Sequence, residues 1–164
     1  MILYHPAYDA YHCSYRILSV LYFVNGNYLS KEMIRFIDFY YLYPHLLKRM
    51  VSLPRPLNYK KKIIDRLDDP FEITPNPKVM FYELGKTQES VLRSLESKSI
   101  ISLDNRLVKL NCGSLSEKII DSFKSDEFLS GDLFKILVES FPKVNLNGPN
   151  GFKAKSGLME FRYG

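Results

Sequence analysis

The residue types that most often carry catalysis are scarce in this chain. It has three histidines and two cysteines: His5, His12, His45, Cys13 and Cys112. His5 and His12 are seven residues apart, so capping or packing is the simpler interpretation, with a metal pair as the alternative. Cys13 directly follows His12, and adjacent residues of a helix point to different faces, which argues against a nucleophile with its base. We therefore expect no metal site and no cofactor.

Sequence motifs of known catalytic sites are missing as well. The chain has no glycine-rich phosphate loop, no sharp turn around a nucleophilic serine and no helical histidine pair for zinc. Cys13 and Cys112 lie far apart and in no metal-binding spacing, so both are interpreted as reduced thiols. The sequence predicts a binding protein and not an enzyme.

The composition is that of a folded protein with a sizeable interior. Of 164 residues, 46% are hydrophobic and 14% aromatic, with twelve Tyr, eleven Phe and no Trp. This is too apolar for a disordered adaptor and requires a packed core or a large interface. The N-terminal residues do not resemble a secretory signal, and no apolar run reaches the roughly 18 residues that span a bilayer. We expect a cytoplasmic protein that does not enter a membrane.

Positive charge is concentrated in one interval of the sequence. The net charge is +5, but residues 48–66 hold seven basic residues against Asp65. Such a local patch permits contact with phosphates or with an acidic protein surface, although a solvated helix face explains the lysines at 60–62 equally well. We assign nucleic-acid contact to this interval and to two arginines further along the chain: Lys48, Arg49, Arg55, Lys60, Lys61, Lys62, Arg66, Arg93 and Arg106.

The first part of the chain predicts two amphipathic helices. Asp9 can cap a helix over 10–24, in which Tyr and Leu residues recur at three- and four-residue spacing. Ser30 can cap a second helix, whose wide apolar face ends at Pro44 before a helix restarts over 45–50. The first lobe is therefore predicted to be all helical.

A boundary between two lobes is predicted near residue 70. A short basic helix over 59–67 leads into two aspartates and a proline, which are typical of a connecting segment. We therefore predict a helical lobe over 1–69 and a second module over 70–164.

The second module has the order of a winged helix. Asn76 and Pro77 begin a helix that Gly85 is expected to end, and Thr87 caps the next helix. Two short apolar runs around an Asp-Asn-Arg turn predict a β hairpin over 100–110. Helix, turn, helix and hairpin wing is the winged-helix order, so the predicted fold class is mainly α (α+β).

The residues after the hairpin predict two more helices and an extended tail. Ser114 to Glu117 form a capping box before the first helix, and the second is expected over 131–141. An alternating, extended pattern follows over 158–163. On the winged-helix module Glu89 and Glu96 would repel phosphates, which favours protein binding over the reading of base edges.

Both ends of the chain carry a mixture of aromatic and charged residues. A terminus that frays does not need such residues, and Arg among aromatics is typical of interface anchors. We predict that the two ends form one partner-binding surface, made of Tyr4, Tyr8, Tyr11, Arg16, Phe152, Lys153, Lys155, Phe161, Arg162 and Tyr163. The alternative is that the tail is a strand that completes a sheet of its own lobe.

Three segments carry a family resemblance: the opening from Tyr4 to Cys13 with Arg16, the block from Asp38 to Leu47, and the close from Asn150 to Tyr163. Together they resemble the middle components of bacterial ABC-three-component systems, a class that includes the Lamassu anti-phage systems. The resemblance implies a small winged-helix-like subunit, comparable with the accessory proteins of structural-maintenance-of-chromosomes complexes. Such a subunit would join a Rad50-like ABC ATPase to an effector such as a nuclease, and the ATP site and any nuclease would lie on these partners.

Two other functions are compatible with the sequence. The order of helices and wing, with the basic interval, also fits a free-standing winged-helix DNA-binding transcriptional regulator. A toxin or antitoxin adaptor is a third class, since small basic helical proteins serve there too. Sequence-selective DNA binding would distinguish the regulator from a subunit of a complex.

Overall fold

The computed structural model describes residues 9–71, 76–111 and 113–159. Helices make up most of this part of the chain, and three short strands form one antiparallel sheet. This confirms the predicted mainly α class with a small β component. No helix of the described ranges is long and apolar enough to cross a membrane.

Two helices open the described chain, α1 (Ala10–Phe23) and α2 (Lys31–Leu42). Each has the predicted cap, because the Asp9 carboxylate accepts the His12 backbone N–H at 3.3 Å and Ser30 Oγ accepts that of Met33 at 3.1 Å. The chain then continues through a 3₁₀ helix over Pro44–Arg49, a second over Leu57–Lys60 and the short helix α3 (Lys61–Asp65). The described residues of 1–69 are helical apart from one strand, so the prediction that this part of the chain is all helical is wrong at that strand.

That strand, β1 (Tyr28–Ser30), belongs to a sheet that spans the two predicted lobes. The predicted hairpin is confirmed as β2 (Ile101–Asp104) and β3 (Leu107–Leu110), and β1 pairs with β3 to give the order β1-β3-β2. Asn105 and Arg106 form the turn with φ of 47° and 71°, the left-handed backbone that two-residue hairpin turns require. The sheet thus ties the hairpin to the first 30 residues.

Helix α4 (Pro77–Ser97) contradicts the predicted turn between two helices. It runs without a break for 21 residues, with Asn76 as its cap and Gly85 in its interior. Gly costs about 1 kcal/mol in a helix interior. Full burial of one apolar side chain such as Leu84 stabilises by about 1.5–3 kcal/mol, so the packing of α4 outweighs that cost. The helix-turn-helix part of the winged-helix order is therefore absent here, and one long helix precedes the hairpin.

The last third of the described chain consists of short helices. Ser116, and not Ser114, caps α5 (Glu117–Ser125) by accepting the Ile119 N–H. The helix predicted over 131–141 begins as α6 (Asp132–Lys135) and continues as a π turn over Ile136–Ser140.

The tail begins with a helix and not a strand. Helix α7 (Phe152–Ser156) ends at Gly157, whose φ of 67° is left-handed, and Leu158 and Met159 form a 3₁₀ turn. The rest of the predicted extended segment, residues 160–163, lies outside the described residues.

One hydrophobic core runs through the described structure. It joins buried side chains of α1 and α2 to those of α4, the sheet, the π turn and α7. The boundary near residue 70 stays a prediction; the residues there, 68–71, are exposed.

Candidate functional site

A buried polar network connects α1, α2 and α4. Arg16 Nε donates to Asp38 Oδ1 at 2.6 Å and Arg16 Nη2 to Asp38 Oδ2 at 3.3 Å, while Gln88 Nε2 donates to Asp38 Oδ2 at 2.8 Å. All three side chains are almost fully buried. Ionised groups in a protein interior require such partners, because leaving water costs each of them several kcal/mol. The network therefore fixes how three helices meet.

The same network settles the chemical state of Cys13. Its Sγ lies 3.9 Å from Asp38 Oδ2, and burial together with the Asp38 charge raises the pKa of the thiol. Cys13 is thus a free, protonated thiol, as predicted, and it is a poor nucleophile. Burial opposes the charge of Arg16, but Asp38 outweighs it, so the pKa of Arg16 lies above its ordinary value. Cys112 lies outside the described residues.

Sequence reasoning did not assign this network. Arg16 was predicted to contact a partner, and Asp38 appeared only within the family resemblance. The available signal was a charged residue on the apolar face of each helix: Arg16 lies between Cys13 and Ile17, and Asp38 between Ile37 and Phe39. Charges of opposite sign on two apolar helix faces indicate a buried pair.

Two of the predicted partner contacts are interior residues. Arg16 belongs to the buried network, and Phe152 is fully buried with its ring centroid 5.0 Å from that of Phe36 and 5.2 Å from that of Phe141. Gly151 permits this insertion, because a Cβ on it would lie 2.3 Å from the carbonyl oxygen of Asn147. Both assignments are corrected: these side chains hold the fold together and do not form a surface.

The other residues of the predicted end surface differ in their placement. Tyr11 is 77% exposed on the first turn of α1, whereas Lys153 binds Glu32 and the Asn147 side chain. Lys155 is half-buried. The remaining members of the set lie outside the described residues, so the common surface of the two ends stays a prediction for Tyr4, Tyr8, Phe161, Arg162 and Tyr163.

The elements of the basic interval are neighbours, because α3 packs against both the 3₁₀ helix that carries Lys48 and Arg49 and the one that carries Lys60. Five cations of this interval are exposed and have no acidic partner within the described ranges: Arg49, Arg55, Lys60, Lys62 and Arg66. We call these five residues the basic surface. Lys61 is exposed too but pairs with Asp65 at 2.6 Å.

Lys48 has a structural role beside the basic surface. Its Nζ donates to the Leu67 carbonyl at 2.6 Å and lies 2.9 Å from Asp69 Oδ1, whose pKa it lowers. His45, at the start of the same 3₁₀ helix as Lys48, is buried. Its burial and the charge of Arg49 both lower the pKa of its imidazole. His45 is therefore neutral at physiological pH and does not add to the positive charge.

Arg93 and Arg106 lie on different elements from the basic surface. Arg93 is on α4, where its Nε is 3.6 Å from a Glu89 carboxylate oxygen. Arg106 is in the hairpin turn, and its carbonyl accepts the Lys31 N–H at 2.9 Å. The structure thus places Arg93 and Arg106 on elements other than those of the basic interval.

Two open cavities lie elsewhere on the described surface. A cavity of about 470 Å³ lies between α2 and α4, with Arg35, Tyr82, Lys86 and Arg93 in its walls. A groove of about 670 Å³ runs beside β1 and has the exposed rings of Phe23 and Tyr28 at its edge. No group of three or more His, Cys, Asp or Glu residues that could hold a metal occurs in the part of the chain that the structure describes.

The comparison with known families gives one match. Residues 2–164 match the family model of the ABC-three component (ABC-3C) system Middle Component 5. No curated protein and no solved structure matches the chain. The match includes all three segments on which the resemblance rests.

Proposed function

Because the chain belongs to the ABC-three component system Middle Component 5 family, we propose that it is a non-catalytic adaptor in a bacterial anti-phage defence complex, of the kind that includes Lamassu. It joins an ABC ATPase related to SMC proteins and Rad50 to an effector such as a nuclease. As a middle component the protein is a defence-system subunit and has protein partners. The observation that carries the proposal is the family match across nearly the whole chain.

The placement of polar groups supports an adaptor. The polar residues that bond to one another across three helices, Arg16, Asp38 and Gln88, are buried and hold those helices together. The exposed features are instead aromatic rings such as Tyr11 and Tyr28, the basic surface and two open cavities. Aromatic and basic residues are enriched where proteins bind proteins or nucleic acids.

Affinity purification of the tagged protein from its native host tests the adaptor role. We expect an ABC ATPase and an effector to co-purify, identified by mass spectrometry, and we expect that deletion of residues 160–164 reduces their recovery. That deletion removes Phe161, Arg162 and Tyr163 but keeps Phe152 and every other described core residue. Recovery of the full-length chain without an ATPase would contradict the proposal.

We further propose that the basic surface contacts DNA in the assembled complex. Five exposed cations on neighbouring elements, without acidic partners among the described residues, attract a phosphate backbone irrespective of base sequence. The continuous helix α4 offers no helix-turn-helix, which makes the free-standing regulator the weaker alternative.

Neutralising two lysines of the basic surface should weaken DNA binding. For Lys60→Gln with Lys62→Gln we expect the salt dependence of affinity for a duplex to become shallower by about 2. Fluorescence anisotropy at several salt concentrations measures it, with duplexes of unrelated sequence for comparison.

A matched control is available on α5, where Lys118 and Lys124 are exposed. Lys118→Gln with Lys124→Gln removes the same charge and should leave the salt dependence nearly unchanged. Equal effects of the two pairs would overturn the assignment to the basic surface. Binding that selects one sequence and weakens when Arg93 and Arg106 are neutralised would instead support the regulator.

A further inference from the structure

The cavity between α2 and α4 has more cations than anions in its wall, and none of them belongs to the basic surface. Its walls include three cations, Arg35, Lys86 and Arg93, and the carboxylate of Glu89. That carboxylate is already compensated, because Lys31 Nζ lies 3.1 Å from it and Arg93 Nε 3.6 Å. The cavity of about 470 Å³ is therefore a concave, net positive site.

Arg35 is held in a fixed orientation in this cavity. Its Cζ lies 4.5 Å from the centroid of the buried Phe81 ring, which in turn stacks on Phe36 at 5.0 Å. Gly85 provides the space on α4, because a Cβ on that residue would lie 2.8 Å from Arg35 Nη2. A guanidinium that packing holds in place loses little freedom on binding. Its five N–H donors allow it to bind a carboxylate in addition to its contacts within the chain.

The rest of the wall favours a peptide over a nucleic acid. Lys86 Nζ lies 5.0 Å from the ring centroid of Tyr82, which is 46% exposed and places apolar surface beside the cations. Glu83 lies 3.2 Å from Lys86 Nζ and offsets part of its charge, so the positive excess of the wall suits one or two carboxylates better than a run of phosphates.

We infer that this cavity binds an acidic peptide segment of a partner subunit, with an Asp or Glu side chain on Arg35 and an apolar neighbour on Tyr82. The positive balance of the wall is complementary to such a segment, and an arginine beside a tyrosine is a typical interface anchor. The inference rests on the proposed adaptor function only for the statement that the partner is a subunit of the same complex.

Gly85→Ala tests the site without changing a charge. Alanine is favoured over glycine in a helix interior, so α4 is retained, while the new Cβ, 2.8 Å from Arg35 Nη2, displaces the guanidinium from its place beside Phe81. The probe is a short blocked peptide of alternating Asp and Phe, with the corresponding Asn and Phe peptide as its neutral control. We expect the acidic peptide to shift the Nε–H NMR signals of Arg35 and Arg93, and its affinity to fall about tenfold in Gly85→Ala.

Ser94→Ala, at an exposed position of the same helix, is the matched control and should bind like the unmodified chain. Arg93→Gln is a second variant at an exposed residue and should also weaken binding. Thermal melting shows that each variant is folded. The inference is overturned if the acidic and neutral peptides bind equally, or if folded Gly85→Ala binds the acidic peptide with unchanged affinity. It is also overturned if duplex DNA displaces the peptide and produces larger shifts of the Arg35 and Arg93 signals. Because this titration uses only the purified chain, its outcome is independent of whether the native ATPase co-purifies.

Discussion

Asp38→Ala is expected to lower the free energy of unfolding by about 3–5 kcal/mol. The substitution leaves the Arg16 guanidinium in the interior without its carboxylate and also removes the closer of the two acceptors of the Gln88 amide. Urea denaturation followed by circular dichroism measures the loss. Asp38→Asn keeps the shape of the side chain but not its charge, so its free energy of unfolding should lie between those of the unmodified chain and Asp38→Ala. It can be measured if Asp38→Ala proves too unstable.

A double variant distinguishes the buried charge from a simple packing defect. Arg16→Met with Asp38→Leu replaces the ion pair by apolar side chains of similar size, and such replacements are often neutral or stabilising. We therefore expect the double variant to recover most of the loss. A cost for Asp38→Ala below about 1 kcal/mol, the range of exposed ion pairs, would show that the pair is not buried as described.

Phe152→Ala is expected to cost about 3–5 kcal/mol, a value typical of a fully buried phenylalanine in a well-packed core. The Phe152 ring lies among those of Phe36, Tyr40 and Phe141, and its centroid is 5.0–5.6 Å from each of theirs. The same urea titration gives the value. Tyr11→Ala, at an exposed aromatic residue, should change stability by no more than about 0.5 kcal/mol.

The outcome for Phe152 also decides what a deletion of the tail can reveal. If the loss is as large as expected, removal of residues 152–164 unfolds the protein and says nothing about partners. Deletion of residues 160–164 alone then isolates the binding role. A loss for Phe152→Ala as small as that for Tyr11→Ala would contradict the burial of this ring and return Phe152 to the predicted partner surface.

Local signals in the sequence were sufficient for the caps and the hairpin. Asp9, Ser30 and Asn76 each accept the backbone N–H expected of a cap, because such a bond depends on only three or four residues. The turn at Asn105 and Arg106 was predicted for the same reason, because the left-handed backbone of a two-residue hairpin turn depends only on the residues of the turn.

Features that depend on distant parts of the chain were not predicted. Strand β1 has three residues, and its pairing with Leu107–Leu110 is what makes it a strand. Gly85 was expected to end a helix, but it lies inside α4, whose apolar side chains before and after it are buried against other elements. The α2–α4 cavity could not be predicted either, because its walls come from two helices about 50 residues apart whose packing no local pattern specifies.

The pairing of β1 with β3 has a consequence for biosynthesis. Residue 28 leaves the ribosome roughly 80 residues before its partner at 109, which at about 5–20 residues per second amounts to roughly 4–16 seconds. During this interval the apolar side of β1 and the faces of α1 and α2 lack their cover, and Phe152 is translated later still. We therefore expect that the core stays incomplete until Leu107–Leu110 and then Phe152 have left the ribosome.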